Sequence, residues 1–158
     1  MKPRLAATVL LAGAIALTAC SRPADTHQGA PASPTGLEIS DARLLLPPVK
    51  GNPAAIYFDV RNGGSRNVSI RSVSVKDAQS ALLHDMEGQG SGRTMGEMAP
   101  LVVTPGSSVA FKPGGKHVMV YGLSPDLKPG DTTAMKLTIA GGESITAKVP
   151  VQAAGAAR

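Results

Sequence analysis

Two histidines and four methionines fall within 36 residues, between His84 and Met119, and they are the side chains best suited to chemistry. In His117-Val118-Met119-Val120-Tyr121 successive side chains of a strand point to opposite faces. Val118 and Val120 can then enter a core while His117 and Met119 share the other face. The same period of two places His84 and Met86 together in Leu83-His84-Asp85-Met86-Glu87, and the intervening loop adds Met95 and Met98. A thioether is a soft donor and an imidazole a borderline one, so a site that mixes them selects Cu(I) over harder divalent ions.

Each of these residues also has a plain structural reading. A strand methionine is commonly core filler. Met135, alternating with Leu137 and Ile139, is assigned to the core, and His27 is read as a solvated side chain with a lesser role as auxiliary ligand. Other chemistries find little support. There is no Ser-His-Asp set, no carboxylate pair with acid/base spacing and no glycine-rich phosphate loop between a strand and a helix, so the chain does not read as an enzyme. An electron-transfer blue-copper site needs a cysteine ligand, and the one cysteine, Cys20, lies elsewhere. The formal charge of +5 includes Lys2 and Arg4; without them 14 basic residues face 11 acidic ones with no basic cluster, which argues against nucleic acid. A metal-free sandwich serving as an interaction module remains the alternative outside copper chemistry.

The donors must be held by strands. Aromatic residues make up only 3% of the chain and Trp is absent, so the core has to be built from Val, Ile, Leu, Ala and Met. The 18 Gly and 13 Pro favour many turns. Short apolar or alternating runs predict eight strands at Leu37 to Leu46, Ala54 to Arg61, Asn67 to Val75, Ala81 to Met86, Ser107 to Lys112, His117 to Leu123, Thr132 to Ala140 and Ser144 to Val151. This pattern predicts an all-β antiparallel sandwich or barrel in one domain, residues 37–151. Asn62-Gly63-Gly64 and Gly141-Gly142 are expected to supply the positive φ angles of tight hairpins. Residues 152–158 are expected to fray.

The segment before the domain has a different character. A basic start, MKPR, precedes an uncharged apolar run from Leu5 to Ala19, the pattern of a secretory signal, residues 1–19. About 15 apolar residues fall short of the ~20 that span a bilayer as a helix. The run ends in Leu17-Thr18-Ala19-Cys20, which resembles a bacterial lipobox and implies lipidation of Cys20. A plain secretory signal is the alternative. Residues 21–36, SRPADTHQGAPASPTG, read as a flexible tether with a reach of roughly 20 to 25 Å. Together these features predict export and anchoring on the outer side of the cytoplasmic membrane or in the periplasm.

Ten residues separate His84 from Met95, twenty-one separate Met95 from His117, and one separates His117 from Met119. This arrangement resembles the motif of the PCuAC family of exported copper chaperones. Three such matches from a given His arise by chance on the order of 3 in 100,000 at this composition. The resemblance extends through Ala54 to Asn62, similar to the family's early Tyr-containing strand, and through Lys112-Pro113-Gly114-Gly115-Lys116-His117, similar to its Pro-Gly-Gly turn. It implies a cupredoxin-like β-sandwich and one Cu(I) per chain, held by His84, Met95, His117 and Met119. Met86 is then an auxiliary candidate, and Met98 could replace Met95 because residues 87–93 are unusually rich in glycine. The resemblance also implies delivery of copper to the dinuclear centre of cytochrome c oxidase, through an assembly protein or the oxidase subunit itself. Copper buffering without an oxidase partner is the alternative. The tail has neither His nor Met, so no second copper site is expected there.

Overall fold

The computed structural model describes residues 35–88 and 93–156, so the expected signal segment, Cys20, His27 and the expected tether up to residue 34 lie outside the described residues. The described chain contains ten strands and no helix: β1 (Leu37–Leu45), β2 (Ala54–Asn62), β3 (Val68–Val75), β4 (Ser80–Glu87), β5 (Thr94–Glu97), β6 (Leu101–Val103), β7 (Ser108–Phe111), β8 (His117–Tyr121), β9 (Thr132–Ile139) and β10 (Ser144–Gln152). All eight predicted strands are present within a residue or two of their predicted ends. The two unpredicted strands, β5 and β6, are short. Thr94-Met95-Gly96-Glu97 has no apolar alternation, and Leu101-Val102-Val103 is only three residues long.

Period-two patterning accounts for the core. In β2 the inward residues are Ala54, Ile56, Phe58, Val60 and Asn62, in β8 they are Val118 and Val120, and in β9 they are Thr133, Met135, Leu137 and Ile139. Met135 is fully buried, in keeping with its alternation. With few aromatics available, Phe58 and Phe111 stack at 4.2 Å between ring centroids across the β2–β7 pairing.

The strands run in the order β5-β4-β8-β2-β1-β10-β9-β3-β6, with β7 pairing β2 beside β8. This path curls into a half-barrel. One pair departs from the antiparallel expectation: β1 and β10 are parallel at Leu44–Val151 and Leu45–Gln152. β1 also carries a bulge between Ser40 and Arg43, where Asp41 adopts a φ of 53°. Asp tolerates this conformation better than most residues, and it is the second half of β1, beyond the bulge, that pairs with β10 while β1 stays paired with β2.

Asn62-Gly63-Gly64 is not the positive-φ hairpin expected from the sequence. β2 does not pair with β3, and neither Gly63 nor Gly64 has a positive φ. The connection instead carries the chain from one side of the half-barrel to the other. Beside it, Gly36 needs glycine on two counts: its φ is 74°, and a Cβ there would come within 2.9 Å of the Gly64 backbone. At Gly141-Gly142 the expectation holds, with φ of 101° and 88° in the β9–β10 hairpin. The tail is ordered further than expected. β10 runs through Gln152, whose carbonyl accepts from Leu46 N, and residues 153–156 close a turn.

Candidate metal centre

β4 and β8 pair antiparallel with Leu83 opposite Val118 and His84 opposite His117. Leu83 and Val118 fill the core, so pleating turns both imidazoles to the outer face of the sheet. There they are direct cross-strand neighbours, with ring centroids 5.9 Å apart. Both are nonetheless more than nine-tenths buried, His84 at 8% exposure and His117 at 7%. β5 lies on the far side of β4, pairing Met95 with Met86 and Glu97 with His84. A row of side chains thus crosses five strands on one face: Glu97, His84, His117, Tyr57 and Arg43. The Tyr57 ring lies 6.4 Å from that of His117, and the Arg43 guanidinium lies 5.5 Å from the Tyr57 centroid.

The His117 ring is oriented by its own turn. Nδ1 lies 2.8 Å from the Gly115 carbonyl, which can only accept, so Nδ1 donates to it and Nε2 is the nitrogen turned to the site. The Met95 sulfur is 3.1 Å from that Nε2. His84 differs in that neither of its buried ring nitrogens has a hydrogen-bond partner among the described residues. Buried polar atoms are normally satisfied, and two unpartnered nitrogens beside a thioether–imidazole contact fit a ligand waiting for an ion. Burial lowers the His84 pKa below its ordinary value, the neighbouring His117 lowers it further, and Glu97 partly opposes both. These effects favour the neutral form of the ring, the form that binds metals.

Opposite charges flank the two histidines. Lys116, just before His117, forms an ion pair with Asp85, just after His84. Burial by itself would raise the Asp85 carboxyl, but the hydrogen bonds from Lys116 and Met86 N and the nearby positive charge bring it below the ordinary carboxylate value. Sequence reasoning missed this pair, although the two charges sit immediately beside the histidines in the chain. It also missed Arg93, which donates to the Gly114 carbonyl.

The methionines divide. Met95 joins His117 directly and is 48% exposed, open to solvent as well as to the imidazole. Met119 lies on the same face one period beyond His117, between Leu82 and Ala55 on the flanking strands. Met86 is half-buried opposite Met95. Met98 follows the end of β5 and packs against the core cluster, with its N–H bonded to the Leu83 carbonyl. Among the described residues no group of three or more His, Cys, Asp or Glu side chains is arranged to hold a metal. The donors brought together here are imidazoles and thioethers. A cleft of about 470 Å³ lined by Gly36, Arg66, Asn67 and Glu143 shares no residue with them.

Known structures share this fold. The copper-bound PCuAC domain from PmoF2 superposes with a TM-score of 0.60 at 24% identity, covering 75% of this chain and 93% of that one. The solution structure of the Cu(I) form of DR1885 from Deinococcus radiodurans gives 0.59 at 21% identity, covering 80% and 81%. The half-barrel is therefore of the PCuAC, cupredoxin-like type. The chain is also 28% identical over 152 residues to "Putative lipoprotein Lxx21020" of Leifsonia xyli subsp. xyli, covering 94% of this chain and 89% of that protein. The sequence profile of the family described as "Putative lipoprotein LpqE-like" matches residues 37–151, and the chain belongs to that LpqE-like family.

Proposed function

We propose that this chain is an exported, lipid-anchored carrier that holds one Cu(I) between His84, Met95, His117 and Met119 and passes it to an acceptor. The observation that carries this reading is His117 Nε2 3.1 Å from the Met95 sulfur, beside a buried His84 with both ring nitrogens without a hydrogen-bond partner among the described residues. With metal bonds of about 2.0 Å to nitrogen and about 2.3 Å to sulfur, two donors at that separation can share one ion. Two neutral imidazoles and two thioethers form a soft site that prefers Cu(I). The presence of copper in the PmoF2 domain and in DR1885 supports the same cargo.

The donor set also fits release. No thiolate holds the ion, so transfer to a partner's cysteines is downhill. Met95 is the most exposed donor, on a four-residue strand at the sheet edge, and it is the one placed to leave first and open a coordination position. Met98 is the weaker candidate for that role because it packs against the core. The acceptor we favour is the dinuclear copper centre of cytochrome c oxidase or a protein that assembles it.

Anaerobic titration of the chain begun after Cys20 tests the proposal. One Cu(I) per chain is expected, with affinity falling sharply in His84→Ala and His117→Ala and little in Met86→Ala. Unchanged Cu(I) binding without both histidines would sink the site. Deletion of the gene should lower oxidase activity under copper limitation, whereas normal oxidase activity with heightened copper sensitivity would assign the site to buffering.

A further inference from the structure

Three consecutive residues in the turn before β8 each grip a different part of the donor cluster. The Gly114 carbonyl accepts a hydrogen bond from Arg93, which stands two residues before Met95. The Gly115 carbonyl accepts from His117 Nδ1. Lys116 pairs with Asp85, the neighbour of His84. One thioether and two imidazole carriers are thus referenced to one short stretch of backbone. Gly114 has a φ of 76°, a left-handed conformation open to glycine and strained for a residue with a Cβ.

We propose that this turn organises the site and that Arg93 is a positioning residue for Met95. Through the Gly114 carbonyl it holds the thioether against His117 Nε2 in the copper-free chain, and it slows loss of Cu(I) from the loaded one. β5 has four residues and pairs only with β4, so its ladder alone leaves a long, half-exposed methionine side chain with much rotational freedom. Arg93 ties the start of β5 to the same turn that orients His117, which sets the sulfur relative to the imidazole it contacts. The Lys116–Asp85 pair joins the turn to β4 independently. Loss of Arg93 should therefore free the thioether while leaving the two histidines in register.

The kinetic half of this inference rests on the Cu(I) reading; the structural half does not. The test uses the chain begun after Cys20 as wild type, Arg93→Ala, Arg93→Lys, Met95→Ala and the Arg93→Ala/Met95→Ala double variant. In the copper-free protein an NMR contact between the Met95 methyl and the His117 ring is expected in wild type and Arg93→Lys, and its loss in Arg93→Ala without a change in thermal midpoint. In the loaded protein, stopped-flow transfer to excess chelator should be about threefold to tenfold faster in Arg93→Ala, the size expected for one hydrogen bond. Arg93→Lys should restore the wild-type rate, and Arg93→Ala should add nothing once Met95 is gone. An unchanged Met95–His117 contact in Arg93→Ala, or equal acceleration with and without Met95, would overturn the proposal. A wild-type chain that takes up no Cu(I) would remove the functional reading, and the NMR comparison would still decide the role of Arg93.

Discussion

His84 carries two ring nitrogens into a buried position where no described residue meets them. An unsatisfied buried polar group costs about 1–3 kcal/mol, so His84→Leu should stabilise the copper-free chain by about 1 kcal/mol or more while Cu(I) affinity collapses. Urea unfolding of both proteins checks this; a destabilised His84→Leu would make the histidine structural. The pH dependence follows from the same burial. The His84 pKa is lowered from 6.5, so as pH falls below that value the unfolded chain takes up the proton before the folded one. The contribution to stability is full above about pH 6.5 and is lost as pH falls toward the folded pKa. Asp85, lowered from 3.8, acts in the same sense at lower pH: its contribution is present above about pH 3.8 and is lost below it. The thermal midpoint of the copper-free protein should therefore be level above about pH 7 and decline below pH 6.5. In His84→Leu the first part of that decline should be absent.

At the scale of elements, the site depends on register. With β8 held by β2, a slip of β4 by one residue would send His84 into the core and Leu83 to the surface, away from His117. That large penalty fixes the pairing. The end of β2 is secured in another way, by Asn62. Its side chain is fully buried, donates to the carbonyls of Arg66 at 2.8 Å and Val103 at 2.9 Å, and accepts from Gly64 N at 2.9 Å. One side chain thus joins β2 to the start of β3 and to β6. Asn62→Ala strands those backbone groups, and a loss of about 2–3 kcal/mol is expected in chemical denaturation. A loss below about 0.5 kcal/mol would mean that water replaces the amide without penalty.

Among the described residues the first fully buried side chain is Leu37, and the last strand ends at Gln152. A chain beginning at residue 35 should therefore melt within about 2 °C of one begun after Cys20, because core burial dominates stability. A larger drop would show that the tether packs on the domain. Anchoring is a separate property: the full-length protein should partition with membranes, and Cys20→Ala should release it or block its maturation. Finding the wild type wholly soluble and unlipidated would leave a plain secretory signal.

The sequence alone determined what depends on local period and residue type. Strand alternation separated Val118 and Val120 from His117 and Met119, and placed Met135 in the core, because a strand's side-chain repeat is two whatever its partner. The softness of thioether and imidazole donors was equally legible, since it belongs to the atoms. The tertiary structure decided what depends on which strand lies beside which. It set His84 directly opposite His117, brought Arg93 to Gly114 and Lys116 to Asp85, placed β1 in its parallel contact with β10, and turned Asn62-Gly63-Gly64 into a crossover. The weak strands β5 and β6 exist only because β4 and β3 offer them an edge. These features join residues tens of positions apart, and their pairing is chosen by burying the whole core at once, which no local stretch of sequence records.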